Sequence, residues 1–196
     1  MIIEIEAKMR LTEAEQLDGR LEALGARRGP LVYETNVFFD TPQGTLKAQD
    51  QGLRVRIERL ADRDEPLTVA ITHKGPRAHG QLKRRAETEV GVSDGTAAGA
   101  LLKTLGYVQV FLFEKRRQKW ELGGCHIAID TLPYLGHFIE IEGPTEPAVL
   151  SMRQQLQLTA VPMIQASYIA MLRTYVLEHQ LPGDQVRFAG KGEGKK

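Results

Sequence analysis

Cysteine is almost missing from this chain: its 196 residues include one, Cys125. No disulfide can form within the chain, so its stability must come from a buried core, and a reducing cytoplasm is the expected compartment. Long apolar runs are missing too, and none approaches the roughly 20 residues that cross a bilayer. Glu4 and Glu6 stand where a secretory leader needs a basic and then an apolar stretch, so no leader is expected. Nor is there a surplus of one charge, since 26 Lys and Arg face 25 Asp and Glu. Total charge therefore gives no reason to expect binding to nucleic acid or to an anionic membrane. His73, His79 and His137 lack the Cys or His neighbours of a zinc site. Cys125 has no base beside it in sequence and reads as a small buried residue.

What is present suits one domain, since a chain of this length hides roughly 70% of its unfolded surface. Eight short segments alternate apolar and polar residues between Gly, Pro and Asp punctuation: "IIEIEAKMR", "VYETNVFFD", "GLRVRIERL", "PLTVAITHK", "LKRRAETEV", "VFLFEKRRQKWEL", "CHIAIDTL" and "HFIEIEG". Helical spacing marks "TEAEQLDGRLEALGA", with Leu17, Leu21 and Leu24 in one row, a Thr12/Glu15 capping box and Gly25 as C-cap. Further helices are expected over 93–106, over "EPAVLSMRQQLQL" and over "QASYIAMLRTYVLEHQL". The class is α+β, dominated by an antiparallel sheet with enough strands to close into a barrel. The domain is expected to span 1–181, with 182–196 a loose Gly- and Lys-rich tail.

The polar positions of these strands are charged in a patterned way. In the first strand Glu4, Glu6 and Lys8 share a face opposite Ile3, Ile5 and Ala7. Arg54, Arg56 and Glu58 share one, as do Thr72 and Lys74; Lys83, Arg85, Glu87 and Glu89; and Lys115, Arg117, Lys119 and Glu121. Asp130 lies in line with His126, and Glu140 with Glu142. An ordinary half-wetted sheet would show such alternation. Three features favour another arrangement: like charges recur in i, i+2 pairs, the signs segregate by strand, and the opposite faces are rich in Ile, Val and Leu. Together they fit a closed barrel with a charged lumen and helices packed outside. Of common ligands, a triphosphate with Mg²⁺ or Mn²⁺ matches such a lumen best, with hard oxygen ligands for the metal and Lys and Arg for the phosphates.

The motifs that carry these charges resemble those of the CYTH domain, the triphosphate tunnel metalloenzymes. "EIEAK" resembles that family's ExExK signature. "LRVR", "THKGP", "RAETE", "EKRR", "DTLPYLGHFIEIE" and "SY" (Tyr168) follow in the family's order across residues 2 to 175. The resemblance implies a tunnel of eight antiparallel strands. Glu4, Glu6, Glu140 and Glu142 would be metal carboxylates, with Glu89 or Asp130 serving a second ion. Lys8, Arg54, Arg56, Lys74, Arg85, Lys115 and Arg117 would hold the triphosphate, and Lys8, Lys74, Glu89 and Asp130 would lie nearest the chemistry. A substrate such as tripolyphosphate, thiamine triphosphate or ATP is implied, hydrolysed or cyclised, by a monomer or homodimer. A polyphosphate-binding module without chemistry and a role in RNA capping are the competing readings, the second disfavoured by near-neutral charge. For Tyr168, packing and a hydroxyl contact to a lumen residue are both open, and His126 could border the lumen.

Overall fold

The computed structural model describes residues 2–12, 14–61, 63, 65–78 and 80–189, without the side chains of Ala14 and Glu15. His79, the Glu15 half of the capping box and residues 190–196 lie outside them. Eight strands form the frame: β1 (Ile2–Leu11), β2 (Arg27–Asp40), β3 (Gly52–Leu60), β4 (Pro66–Ala78), β5 (Lys83–Gly91), β6 (Val108–Leu122), β7 (Cys125–Leu132) and β8 (Gly136–Glu142). Their order is β2-β3-β4-β5-β1-β8-β7-β6, and β6 pairs back to β2, so the antiparallel sheet closes on itself. That seam joins the two longest strands, and their register shifts twice, between Arg28 and Leu31 and between Phe38 and Phe39. Further shifts fall at Glu58/Arg59 and between Lys74 and Arg77. Irregularities of this kind bend strands and let a twisted sheet close.

The apolar parity of the strands faces out and is largely covered by helices, although Ile3 on β1 and Val90 on β5 stay exposed. α1 (Ala14–Ala23) and α4 (Glu146–Gln155) lay Leu17, Leu21, Val149 and Met152 over Ile5, Met9, Ile127, Ile139 and Ile141. α1 stops at Gly25, whose φ of 74° lets the Ala26 amide reach back to the Leu21 carbonyl at 2.9 Å. Leu24, the third leucine of the expected row, falls past the helix end and is exposed. A short helix, α2 (Thr45–Ala48), follows the turn at 41–44, its Leu46 and Lys47 amides held by the buried Asp40 carboxylate. α3 (Gly95–Thr104) covers β3 and β4 through Ala98 and Leu102 and is N-capped by Asp94. Gly95 is required there, because a Cβ would stand 2.7 Å from Ile57 Cδ1.

α5 (Tyr168–Glu178) behaves differently. Its Tyr168, Leu172 and Val176 pack with Phe38, Phe111, Phe113 and Phe138, which share strand parity with the charged residues, not with the outer core. α5 therefore stops one end of the barrel with an apolar plug.

The chain past Pro182 differs from the loose tail expected. Gln185–Val186 form β9, parallel to β6 beside Leu112 and Phe113. β7 accompanies β6 only from Arg116 onward, which leaves the first half of that 15-residue strand with an open edge. β9 covers it, Val186 enters the α5 cluster, and Arg187 pairs with Glu114 at 2.6 Å. Two residues carry no readable alternation, which is why the sequence pattern misses them. No described helix is long and apolar enough to cross a membrane.

Candidate active site inside the barrel

Strand register decides which charges meet. Glu6 lies opposite Glu142, Lys8 opposite Glu140, Glu4 opposite Arg85, Thr72 opposite Glu89 and Arg117 opposite Asp130. Several ion pairs also jump over a strand. Lys74 reaches Glu4 past β5, Arg56 reaches Glu89 past β4, Arg117 reaches Glu140 past β7, and Lys119 reaches Glu58 past β2. Next-but-one strands stand roughly 9 to 10 Å apart. Side chains on a convex surface splay, so bonds across that gap place these groups on the concave face.

The deeper sector is basic around three buried carboxylates. Asp130, fully buried, accepts from Arg117 Nε at 2.7 Å, Arg117 Nη2 at 2.6 Å, Lys115 at 3.2 Å and the Tyr168 hydroxyl at 2.9 Å. Glu34 lies 3.4 Å from Lys115 and 3.6 Å from Arg117. Burial alone would raise its carboxyl, but Lys115, Arg117, Arg56 and Arg54 hold it far below the ordinary range. Glu140, also well lowered against the effect of burial, is held by Lys8 at 3.0 Å and by Arg117. Burial pushes Lys115 down, and the neighbouring Arg117 adds to the effect. Lys8 is kept above its usual range, against its burial, by Glu140 and Glu6. The 159–167 segment fixes β1 here, Ile164 donating to the Lys8 carbonyl at 2.8 Å where β5 has ended.

Arg54 is the exception among the cations. Among the described residues its one hydrogen bond goes to Asn36 Oδ1 at 3.2 Å, its buried Nε has no partner, and no carboxylate lies within ion-pair distance. Burial, and then Arg56, lower its pKa.

Toward the open end the carboxylates dominate. Glu4 holds Lys74, which also binds Glu87 at 2.8 Å, and Glu6 holds Lys83 at 3.0 Å. Burial lowers Lys83 to about 8. Among the described residues Glu142 has no cation within ion-pair distance, although the more distant Lys74 partly opposes the rise of its pKa. Although its side chain reaches solvent, partial desolvation and then the like charges of Glu4, Glu6 and Glu87 raise its carboxyl. Among the described residues no three His, Cys, Asp or Glu close around one point, because Glu4, Glu6 and Glu140 are turned to cations. The donor set still suits a hard divalent ion: oxygen ligands only, with an unneutralised carboxylate beside two others.

The two groups read from sequence thus interlock by ion pairs and do not stand apart by sign. Lys8, Lys115 and Arg117 converge on Glu140, and Arg54 and Arg56 join Lys115 and Arg117 around Glu34; Glu4, Glu6, Glu142 and Lys74 converge nearer the mouth. Glu89 is not among the latter: it binds Arg56 and Thr72 at 2.8 Å, and Glu87 is the β5 carboxylate beside Glu4. Asp130 has both oxygens engaged by cations and a hydroxyl. Arg85 donates to the Asp50 carbonyl at 2.7 Å, tying a turn. Glu34 and Asn36 were missing from the sequence-derived set, although an acid and an amide at i, i+2 in "VYETNVFFD" carry the same signal. Tyr168 is both packed and bonded through its hydroxyl. His126 is exposed at the rim opposite Glu142, while His73 and His137 bond to Gln51 and Thr131.

A family model described as the CYTH domain matches residues 2–168. The adenylate cyclase CyaB of Aeromonas hydrophila is 32% identical over 161 residues, covering 79% of this chain and 76% of its own length. MJ0240 of Methanocaldococcus jannaschii, named as a candidate adenylate cyclase, is 26% identical over 72% of this chain and 77% of its own. The PH1819 protein from Pyrococcus horikoshii has a TM-score of 0.75 at 25% identity, covering 88% of this chain and 99% of that one. HpAC1 from Hippeastrum, a candidate adenylyl cyclase described as having a dominant triphosphatase activity, has a TM-score of 0.67 at 19% identity, covering 88% and 96%.

Proposed function

The chain belongs to the CYTH domain family, and on that footing we propose that it is a divalent-metal-dependent enzyme acting on a triphosphate-bearing small molecule. One observation carries the proposal. Among the described residues a single channel holds a guanidinium with no carboxylate at ion-pair distance, Arg54, and a carboxylate with no cation at ion-pair distance, Glu142. Surplus charge of both signs in one confined space is relieved together by a polyanion and its metal ion. A binding module would need only the basic part, and the crowded glutamates disfavour it.

Glu4, Glu6, Glu140 and Glu142 are the groups that would hold Mg²⁺ or Mn²⁺. Such an ion, when bound, supplies charge neutralisation at phosphate oxygens and polarises the reacting centre. The chain's own part is positioning and electrostatic stabilisation. Arg54, Arg56, Lys115 and Arg117 present N–H donors to phosphate oxygens. Lys8, bonded to Glu140, and Lys74, bonded to Glu4, stand between the two sectors and can follow charge onto the leaving phosphate. Asp130 and Glu34 keep Lys115 and Arg117 aligned. Attack of water on the terminal phosphorus breaks one anhydride bond and releases orthophosphate. Attack of a ribose 3′-hydroxyl on the α-phosphorus of ATP releases pyrophosphate and leaves cyclic AMP. The name of the Aeromonas relative favours the second and that of the Hippeastrum protein the first.

Incubating the protein with tripolyphosphate, thiamine triphosphate and ATP in turn, with Mg²⁺ or Mn²⁺, and identifying products by mass tests this. Metal-dependent release of orthophosphate or pyrophosphate is expected. Tight tripolyphosphate binding with no turnover of any substrate would establish the binding module instead.

A further inference from the structure

The first residue of α5 makes three contacts that its packing does not require. The Tyr168 ring lies under two ammonium groups, with Lys8 Nζ 3.7 Å and Lys115 Nζ 5.2 Å from its centroid. Its hydroxyl donates to Asp130 Oδ2 at 2.9 Å, the carboxylate that also holds Arg117 by two bonds. The edge of Phe138 meets the ring at 73° and 5.4 Å, which fixes its plane. Ser167 caps the helix just before it, accepting from the Ala170 amide at 3.3 Å. The ring is thus held from both sides before any lysine touches it.

Lys8 and Lys115 come from β1 and β6, with β8 and β7 between them. Among the described residues no one carboxylate lies within ion-pair distance of both. Lys8 reaches Glu140 at 3.0 Å, and Lys115 reaches Glu34 at 3.4 Å and Asp130 at 3.2 Å, each longer than the ~2.7–2.9 Å of a strong charge-assisted hydrogen bond. A π face attracts an ammonium without consuming its N–H donors in directed bonds. The ring therefore gathers both lysines without taking up the N–H donors that Glu140, Asp130 and Glu34 leave over.

We infer that Tyr168 is a positioning residue of the anion site: its ring seats Lys8 and Lys115 with their donors available to phosphate, and its hydroxyl fixes Asp130. α5 then has two tasks, closing the far end of the barrel and forming the floor on which the phosphate-binding cations rest. The inference rests on the triphosphate reading for the identity of the anion.

The test compares Tyr168→Phe, which keeps the ring, with Tyr168→Leu, which does not, in the full chain. Tripolyphosphate binding is measured by calorimetry in EDTA, so that no metal contributes. The expected ratio of the Leu to the Phe dissociation constant is about ten; a ratio below about five overturns the inference. Because the Leu variant can fail to fold, the wild-type protein supplies a second readout. With ¹³C-labelled lysine, two ε-methylene resonances should be shifted upfield by the ring current, and two only partly shifted or unshifted in the Leu variant where it folds. A wild type showing no upfield lysine signal overturns the inference by itself. A wild type that binds tripolyphosphate without turning it over removes the enzyme reading alone; one that binds none removes both.

Discussion

Lys74 on β4 reaches past β5 and places its ammonium on both carboxylate oxygens of Glu4, at 2.7 and 2.8 Å. Glu87 sits 2.8 Å away on the same nitrogen. Glu4 cannot face a metal ion until Lys74 leaves, and a lysine leaving a carboxylate in this channel has phosphate as its alternative partner. Cation and polyanion are therefore expected to bind with positive coupling. Lys74→Met should raise Mn²⁺ affinity several-fold in the absence of substrate and lower tripolyphosphate affinity at least tenfold, both read by calorimetry. Unchanged Mn²⁺ affinity would show that Glu4 is not a ligand.

Asp130→Asn should cost about 3–5 kcal/mol of stability, the range for breaking a buried ion pair and leaving its partner charged. Arg117 would lose its best-aligned acceptor and Lys115 one of two. Urea unfolding monitored by Trp120 fluorescence measures it. A metal ligand at this position would instead leave the unliganded stability nearly unchanged.

Glu142→Gln is expected to act in the opposite direction. A carboxyl whose folded pKa lies above its unfolded value costs stability progressively as pH rises from the unfolded to the folded pKa, and the cost is complete above that. Desolvation and then Glu4, Glu6 and Glu87 raise Glu142, so the variant should melt at or above the wild-type temperature at pH 7. The advantage should shrink as pH falls toward the range of an ordinary glutamate and be gone below it. Metal-dependent turnover should drop at least a hundredfold. Normal turnover at low Mg²⁺ would remove Glu142 from the site.

Lys83 gives a second pH signature. Burial lowers it to about 8, so the folded state loses this proton before the unfolded chain does. The unfolded state then binds more protons between about pH 8 and the usual lysine range, and stability from this group rises with pH across that window. Lys83→Gln should flatten the rise in a series of melts from pH 7.5 to 10.

Ending the chain after Asp184 removes β9 and the buried Val186. Loss of one buried valine, about 2 kcal/mol, corresponds to a drop of about 4–8 °C in melting temperature for a domain of this size. The uncovered β6 edge should also increase aggregation on heating.

Alternation made the eight strands, their outward apolar faces and the closed architecture legible in the sequence. Glu4, Glu6, Lys8, Arg54, Arg56, Lys115 and Arg117 were placed on charged faces by parity alone. Parity does not say at what height along the barrel a residue sits, because that depends on inter-strand register. Glu87 and Glu89 have the same parity, and only the pairing of Lys74 with Glu87 and Thr72 with Glu89 separates the one beside Glu4 from the one beside Arg56. Register likewise sets Asp130 opposite Arg117, in the deeper sector. Glu34 was hidden because its strand mixes acid, amide and aromatic on one face, where Phe38 belongs to the plug and Glu34 to the charged sector.

The stopper made by Leu172, Val176 and four phenylalanines turns the barrel from a pipe into a pouch. Reactants and products must then share one doorway, the one flanked by Glu142 and His126. Whatever lodges there slows arrival and departure alike, so an anion retained after turnover would act as an inhibitor competitive with its own precursor.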